Sequence, residues 1–219
     1  MIERKQLFGI PVYKARIDSS RYDKQGIIDT IARNYAIDPK RNAWDGVALL
    51  RSDLHHSFGD WENDKFEIIN FDSLSSLYET HIRDFLHSLE FKSQYKYQFS
   101  VVNYTCYGKD QFMLEHEHLY CDFSAVHYLK YNPKVHNPTV YTNPAYFSPF
   151  TTLALSNKLV KDTKINLYNS WLTHNFHLGV AEDDFVITPG VLRHQVPMST
   201  SDELRMALVV NIKLEEPEK

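Results

Sequence analysis

Cysteine is scarce in this sequence, which has only Cys106 and Cys121 among 219 residues. Two thiols are too few for a disulfide framework. Both lie in apolar, strand-like surroundings, where a free cysteine usually packs as a small hydrophobic side chain. We therefore expect two free cysteines that belong to the interior of the protein.

A long hydrophobic run is also missing. No stretch approaches the ~20 apolar residues that a membrane-spanning helix needs. The opening residues 1–6 lead into a short apolar patch without the hydrophobic region of a signal peptide. These absences predict a soluble, cytoplasmic protein with no membrane partner.

Charge of one sign is not in excess, since 24 Lys and Arg residues are interspersed with 28 Asp and Glu residues for a formal net charge of -4. Nucleic-acid phosphates are usually held by a basic stripe, which this chain lacks. A nucleic-acid partner is therefore unlikely. The hydrophobic fraction of 43%, with 14 Tyr and 13 Phe, is instead sufficient for a packed globular core.

The chain has only seven glycines, and it has no internal repeat, low-complexity run or flexible linker. Nothing marks a domain boundary, so we expect a single domain over residues 1–219. Within it, residues 1–94 should supply a strand and supporting helices, and residues 95–214 should form a β-rich core.

The N-terminal third carries one strand signal and two helix signals. Residues 7–13 are typical of a short strand, and the residues 18–20 offer N-caps for a helix with Ile27 and Ile31 on its apolar face. A second amphipathic helix should begin near Asp72. Residues 37–66 have weak periodicity and receive no assignment.

From Tyr95 onward, short runs rich in aromatic and β-branched residues alternate with Asn-Pro, Pro-Gly and Lys-Asp breaks. This texture is typical of an antiparallel sandwich or barrel. The predicted strands are 97–106, 112–118, 123–130, 138–142, 164–170, 174–179, 184–188, 193–197 and 204–213. Helices beside such strands predict a mainly β jelly roll with N-terminal helices buttressing one sheet.

The first candidate for chemistry is the pair His116 and His118. Residues two apart on a strand face the same side, so both imidazoles should converge while Glu115 and Glu117 face the other way. Two imidazoles on one face can bind a metal ion. A His-x-His pair alone is a weak motif, because chance matches are common.

The second candidate lies near the C-terminus. A predicted strand, the Pro189-Gly190 turn and a further strand could return His194 to the histidine pair as a hairpin. Arg205 lies 11 residues later in an otherwise apolar run. An arginine in such a strand needs an anion for its planar fork of donors, and a dicarboxylate fits that geometry.

With these motifs, the sequence resembles the Fe(II)- and 2-oxoglutarate-dependent oxygenases, and in particular the small phage and bacterial, prolyl-4-hydroxylase-like members that carry His-x-His. The resemblance runs from residues 7–12 through 124–129 to 189–197. It implies a double-stranded β-helix, the cupin-like form of the jelly roll. It also implies Fe(II) and 2-oxoglutarate as cofactors.

By that resemblance His116 and His118 are the proximal metal ligands and His194 is the distal ligand. Arg205 holds the distal carboxylate of 2-oxoglutarate, and either Tyr104 or Tyr107 helps to hold the cosubstrate.

The sequence departs from the larger superfamily in two places. His118 stands where a carboxylate would complete the usual two-His, one-carboxylate triad. Asp122 is the alternative ligand if the strand bulges, although the regular period of two favours His118. Arg205 is followed by Met206 and Ala207, so the hydroxyl that usually assists carboxylate binding must come from elsewhere.

The resemblance implies a dioxygenase that hydroxylates an amino-acid, peptidyl or small-metabolite C–H bond with release of succinate and CO₂. The primary substrate depends on loops such as 37–66 and 143–163. An alternative is a cupin-like binding or structural domain with a non-redox metal. A three-histidine dioxygenase that does not use 2-oxoglutarate would leave Arg205 unexplained.

The remaining histidines are assigned structural roles. His174 and His177 should face opposite sides of a strand. The pair at 55–56 and His136 are expected in solvated loops, and His127 is expected in the core or behind the metal site.

Overall fold

The structure is a computed structural model that describes residues 9–41, 52–57, 65–91, 95–144 and 174–215. The elements in these ranges are a 3₁₀ turn (Ser19–Arg21), helices α1 (Lys24–Ile37) and α2 (Asp72–Ser88), and strands β1 (Tyr13–Arg16), β2 (His55–His56), β3 (Lys96–Tyr107), β4 (Met113–His116), β5 (Phe123–Lys130), β6 (Val140–Thr142), β7 (Asn175–His177), β8 (Asp184–Pro189), β9 (His194–Val196) and β10 (Arg205–Glu215). Within these residues no helix is long and apolar enough to cross a membrane.

A capping side chain fixes the start of α1, whereas the N-cap residue of α2, Phe71, makes no side-chain hydrogen bond. Asp23 accepts a hydrogen bond from the Gly26 N–H at 3.0 Å, so α1 begins after Asp23. The expected caps at 18–20 are therefore wrong, because Asp18 instead caps the preceding 3₁₀ turn. The second helix begins at Asp72 as predicted.

Most predicted strands are present with shifted ends, but the first differs. Strand β1 begins only at Tyr13, while residues 9–12 form no strand. Pro11 has no N–H for a ladder hydrogen bond, and Ile10 and Val12 are each 42% exposed, so neither pairing nor burial supports a strand there. The predicted strand 164–170 lies outside the described residues.

The strands form two antiparallel sheets. The major sheet has six strands in the order β1-β8-β5-β10-β3-β2, and the minor sheet has four in the order β4-β9-β6-β7. This is the predicted mainly β jelly-roll fold with N-terminal helices. Strands β8 and β9 belong to different sheets, so the expected hairpin around Pro189-Gly190 is instead a crossing from the major to the minor sheet.

One face of the major sheet packs against α1 and α2. Alternate side chains of β3, β5, β8 and β10 meet the apolar stripes of both helices and form the main core, which includes Tyr104, Cys106, Phe123, Ala125, Leu129, Phe185, Ile187, Met206, Leu208, Val210, Ile212, Ile27, Ile31, Leu74, Tyr78, Ile82 and Phe85. The intervening residues of the same strands face the minor sheet. The helices therefore leave the other face available for a site between the sheets.

Asn34 fastens α1 to the segment before α2. This fully buried side chain donates to the Glu67 carbonyl at 2.9 Å, accepts from the Glu67 N–H at 2.8 Å and donates to the Tyr104 hydroxyl at 2.8 Å. Replacing it with an apolar side chain of similar size removes all three hydrogen bonds, although the Tyr104 hydroxyl keeps its contact with Nε2 of His55 at 3.2 Å.

We expect Asn34→Leu to lower the free energy of unfolding by about 1–3 kcal/mol, because a buried side chain loses three hydrogen bonds. Denaturant unfolding measures this change. Gln25→Ala on the exposed side of α1 is the control, with an expected change within about 0.5 kcal/mol. Equal effects of the two substitutions would contradict this account of the helix attachment.

Candidate metal centre

Three histidines meet between the two sheets. Each of His116, His118 and His194 offers a ring nitrogen, and these nitrogens all lie within 4.8 Å of one another. The ring centroids of His116 and His194 are 4.3 Å apart, and those of His118 and His194 are 5.3 Å apart. Within the described residues this is the one cluster of three or more metal-ligating side chains.

Strand pairing and a loop contact bring the rings together. His116 ends β4 and lies opposite His194, which begins β9. His118 lies beyond the end of β4, and its N–H donates to the Gly190 carbonyl at 2.8 Å. The predicted strand to residue 118 is therefore too long, and Glu117 lines the cavity beside the histidines instead of facing away from it.

Backbone carbonyls orient two of the rings. Nδ1 of His116 lies 2.9 Å from the Leu114 carbonyl, and Nδ1 of His194 lies 2.9 Å from the Leu192 carbonyl. A carbonyl can only accept, so Nδ1 carries the proton and Nε2 carries the lone pair of each neutral ring. Metal-binding histidines usually donate such a hydrogen bond from the ring nitrogen that does not bind the metal.

Burial keeps these rings neutral. It lowers the pKa of His194 to about 3 and that of His118 to about 4, and each shift is increased by the neighbouring histidines. The pKa of His116 is also lowered by burial, against a smaller opposite effect of its Leu114 hydrogen bond. Neutral imidazoles are the form that binds a metal ion, so the lone pairs are available at neutral pH.

We expect metal affinity to be unchanged as pH falls through 6.5, the ordinary histidine value, and to be lost only well below it. Protons compete with the metal only at a pH low enough to protonate the folded rings, so a lowered pKa moves the loss of affinity to lower pH. Titration with Ni(II) at stepwise lower pH measures the pH at which half of the binding is lost. A His-x-His peptide is the control, and a protein midpoint equal to that of the peptide would contradict the burial argument.

The same lowered pKa values make the stability of the metal-free protein depend on pH, whereas metal affinity should not change near pH 6.5. The unfolded chain takes up these protons near pH 6.5 and the folded chain does not, so the apoprotein should lose stability as pH falls below that value.

Gly190 permits the loop that carries His118 to approach closely. A Cβ at this position would lie 2.7 Å from the His118 carbonyl oxygen and even closer to that of Cys121. The Gly190 N–H also donates to the Asp122 carbonyl at 2.9 Å. Only a residue without a side chain fits here unless the ligand loop moves.

Gly190→Ala should therefore displace His118 and weaken Ni(II) binding by about 10-fold or more, the usual size of effects on the supports of metal ligands. Gly179→Ala is the matched control, because no atom lies within 4 Å of its added Cβ. Calorimetric Ni(II) titration of both variants measures the difference. Wild-type affinity in Gly190→Ala would show that the close approach does not position the ligand.

The histidines share a cavity of about 420 Å³ with Arg205. Arg205 is only 3% exposed, and its guanidinium carbon lies 5.0, 5.4 and 5.9 Å from the ring centres of Tyr107, Tyr128 and Tyr131. Among the described residues no carboxylate pairs with it, and its Nε makes no hydrogen bond. A buried cation without an acidic partner is energetically unfavourable, and an anion in the cavity would relieve that cost.

The structure separates the two candidate tyrosines. Tyr107 lies opposite Arg205 in the β10–β3 ladder and lines the cavity, whereas Tyr104 faces the helices and bonds Asn34. Burial raises the pKa of Tyr107 to about 12, so its hydroxyl stays protonated. Tyr104 is thus absent from the predicted cosubstrate site.

Sequence inspection missed Thr139. Its buried hydroxyl lies 3.4 Å from an Arg205 terminal nitrogen and accepts from the Tyr128 hydroxyl at 3.0 Å. Thr139, in the segment before β6, therefore places a hydroxyl beside Arg205, where the residues that follow Arg205 in sequence offer none. No local motif marks it, because the contact depends on the pairing of distant strands.

Asp122, the alternative ligand, lies outside the histidine cluster. It is exposed, and its Oδ2 accepts the Leu214 N–H at 2.7 Å. The bulge that this alternative required does not form, because this hydrogen bond and those of the Asp122 backbone hold the residue just before the start of β5, an interior strand of the major sheet.

The other histidines are only partly as predicted. His174 and His177 are exposed at the minor sheet, and His127 is fully buried against the Tyr78 hydroxyl at 2.7 Å. The expectation of solvated loops is wrong for residues 55–56, which form β2 and are buried, and for His136, which is 5% exposed. Pairing with β3 and contacts such as that of His136 with the Glu203 carbonyl explain their burial.

No protein-family model and no curated protein matches this sequence. Solved structures do match its fold, at 10–11% identity. A prolyl-4-hydroxylase from Pseudomonas putida aligns with a TM-score of 0.54 over 94% of each chain. The α-ketoglutarate-dependent carbocyclase SnoK of nogalamycin biosynthesis gives 0.56 over 94% of this chain and 80% of its own, at 11% identity.

A prolyl hydroxylase from Trichoplax adhaerens, solved with a hypoxia-inducible-factor peptide, gives 0.53 at 10% identity over 93% of this chain and 83% of its own. The chain thus has the double-stranded β-helix fold of the 2-oxoglutarate-dependent oxygenases. The resemblance stated from the sequence is confirmed at the level of the fold.

Proposed function

We propose that this protein is an Fe(II)- and 2-oxoglutarate-dependent dioxygenase that hydroxylates an amino-acid, peptidyl or small-metabolite C–H bond with release of succinate and CO₂. The observation that carries the proposal is the shared cavity of three neutral histidines and a buried arginine without an acidic partner. The fold likeness to 2-oxoglutarate-dependent enzymes agrees with it.

Two groups of residues that line the cavity suit the two cofactors. The three histidines present imidazole nitrogens, which are suitable ligands for Fe(II) as they are for several other divalent transition metals. Arg205 presents a planar fork that matches a carboxylate. One small molecule that chelates a metal at one end and carries a carboxylate at the other satisfies both groups.

Side chains around Arg205 favour a carboxylate over a bare ion. The guanidinium lies over the faces of three tyrosine rings, which stabilise it by cation–π interactions. The Thr139 hydroxyl adds a hydrogen-bonding group beside it. These residues hold the far end of the cosubstrate and exclude water from the guanidinium.

Three imidazoles make the centre more positive by one unit than a two-His, one-carboxylate triad would be. Glu117, which also lines the cavity, brings back one negative charge without joining the ligand cluster. Arg193 lies 3.7 Å from the Glu117 carboxylate and partly offsets that charge. The three imidazole ligands themselves are neutral, and the negative charge of Glu117 lies beside them.

The proposal is tested by adding 2-oxoglutarate to the Fe(II)-loaded protein without oxygen and recording visible absorption. Direct chelation should produce a new charge-transfer band, and admission of O₂ should then release succinate. A non-redox cupin-like domain, the alternative from the sequence, would show neither change. Metal binding without any response to 2-oxoglutarate would therefore favour the alternative.

Arg205→Met should weaken 2-oxoglutarate binding to the Ni(II)-loaded protein by at least about 30-fold, corresponding to ~2 kcal/mol for a lost buried charge partner. Arg205→Lys should fall between Arg205→Met and wild type, because it keeps the charge but loses the planar fork. Calorimetric titration gives both dissociation constants, and Ni(II) affinity should be unchanged.

The matched control is Arg193→Met. Arg193 adjoins His194 in sequence but is exposed, with Glu115 and Glu117 as its ion-pair partners. Its loss should change 2-oxoglutarate affinity by less than about threefold, as expected for surface ion pairs. Similar losses in both methionine variants would remove Arg205 from the cosubstrate site.

A further inference from the structure

The cavity between the sheets has one negative side chain in its lining. Histidines aside, Arg205 and Glu117 are the only charged side chains among the described residues that line it. Buried polar atoms in the same lining, the Nδ2 of Asn103 and the Nε of Arg205, make no hydrogen bond within the described part of the chain. Such atoms indicate that polar groups of ligands complete the cavity. The ligands that fill it therefore meet one positive and one negative side chain.

The charge of Glu117 separates it from the cosubstrate site. At neutral pH 2-oxoglutarate carries a carboxylate at each end and no positive group, so no part of it can form an ion pair with Glu117. Glu117 is also not a member of the cluster of metal-ligating nitrogens. Its carboxylate therefore remains for another ligand, the primary substrate, whichever residues hold the two ends of the cosubstrate.

Arg193 compensates only part of the negative charge beside the cavity. Its Nη1 lies 3.6 Å from the Glu115 carboxylate, and its Nε lies 3.7 Å from the Glu117 carboxylate. One guanidinium beside two carboxylates leaves one net negative charge on these three side chains. The Arg193 side chain is 61% exposed, and such exposed ion pairs contribute little to stability, so it can move aside at small cost. A cation of a ligand can thus join or replace Arg193 at Glu117.

An aromatic ring lies at the opening of the cavity on the same connection as Glu117. Tyr120 lines the cavity and is 92% exposed, so it lies where the cavity meets solvent. Both residues belong to the connection between β4 and β5, which the bond from the His118 N–H to the Gly190 carbonyl holds in place. The face of a tyrosine ring attracts cations, and a carboxylate accepts charge-assisted hydrogen bonds from them. Together Glu117 and Tyr120 offer the two kinds of group that bind a cation.

We propose that the primary substrate carries a cationic group, an ammonium in the simplest case, which Glu117 binds through its carboxylate and Tyr120 covers with its ring. Glu117 precedes the ligand His118, so a cation at this position places the rest of the substrate beside the metal centre. The inference rests on the proposed function and assigns its substrate class.

The probes for the test are n-butylammonium and butan-1-ol, which have a similar shape and differ in charge. Mn(II) at the histidines, with 2-oxoglutarate present, should speed the proton relaxation of a bound probe. We expect at least about threefold greater relaxation of butylammonium than of the alcohol, the effect of one exposed ion pair, with a smaller difference at high salt. Equal relaxation of the two probes would overturn the proposal.

Glu117→Gln should reduce the butylammonium relaxation to the level of the alcohol. The matched control is Glu115→Gln, because Glu115 has a similar exposure and the same partner Arg193 but does not line the cavity. The control should change the signal by less than about twofold, as a general effect of surface charge. Equal losses in both variants would overturn the assignment of the cation to the cavity.

Mn(II) and 2-oxoglutarate affinities measured on the same Glu117→Gln protein separate a role in substrate binding from a role at the metal. Both affinities should stay within about threefold of wild type, since Glu117 is not a ligand. A larger loss of Mn(II) affinity, together with an unchanged ratio of the two probe signals, would assign Glu117 to the metal and overturn the proposal.

Two further variants test the neighbours of Glu117. Arg193→Met removes a competing cation, so the butylammonium relaxation should rise by about twofold while that of the alcohol stays the same. Tyr120→Leu keeps an apolar side chain but removes the ring, so the butylammonium relaxation should fall by about twofold. A fall in Arg193→Met or an unchanged signal in Tyr120→Leu would contradict the proposal.

Two larger probes identify the source of the ammonium group. Nα-acetyl-lysine N-methylamide carries it on the side chain of a peptide unit, and L-norleucine carries it on the α-carbon of a free amino acid. The probe with the larger relaxation identifies the source, and relaxation of both at the level of butan-1-ol would overturn the assignment. Failure of the protein to bind Mn(II) or 2-oxoglutarate would overturn the proposed function itself. Binding of both without a charge-dependent difference would overturn only the substrate class.

Discussion

The alternation of side chains along β10 is the constraint on which the rest of the structure depends. Met206, Leu208 and Val210 enter the core beneath the helices, while Arg205 and Asn211 face the cavity on the other side. A slip of one residue would exchange these sets, placing a guanidinium in the helical core. Long antiparallel ladders with β3 and β5 on either side fix the register and prevent that slip.

The two sheets contribute different parts of the site. The minor sheet supplies His116 and His194, and the major sheet supplies Arg205. His118 belongs to the connection between β4 and β5, where its N–H bonds the crossing segment at Gly190. The site thus forms only when both sheets and both crossings are in place, and its His-x-His motif is not sufficient to define it.

This division explains how much the sequence could predict. The texture of short strands was enough for the mainly β fold class, and the family resemblance supplied the set of three histidines. The routes that spacing suggested were wrong, because His118 lies beyond β4 and the segment after β8 crosses to the other sheet instead of forming a hairpin. The choice between Tyr104 and Tyr107 needed the pairing of β3 with β10, in which Arg205 lies opposite Tyr107. Pairing partners so distant in sequence leave no trace in local composition.

The missed residues have the same physical origin. Thr139 is close to Arg205 only because two segments 66 residues apart pack together. The burial of His136 likewise depends on a carbonyl of Glu203. A polar residue in a loop looks solvated from its neighbours alone, and its burial becomes visible only when the partner that satisfies its hydrogen bond is known.

The arrangement across the two sheets has a thermodynamic consequence. A molecule that joins the histidines to Arg205 connects the minor sheet with the major sheet, and it cannot make both contacts in the unfolded chain. Its binding therefore stabilises the folded state by an amount that grows with the logarithm of ligand concentration. A metal ion held by the histidines alone would leave Arg205 buried without an acidic partner among the described residues. A ligand with a carboxylate would supply that partner, which is the physical basis of the carboxylate selectivity that we propose.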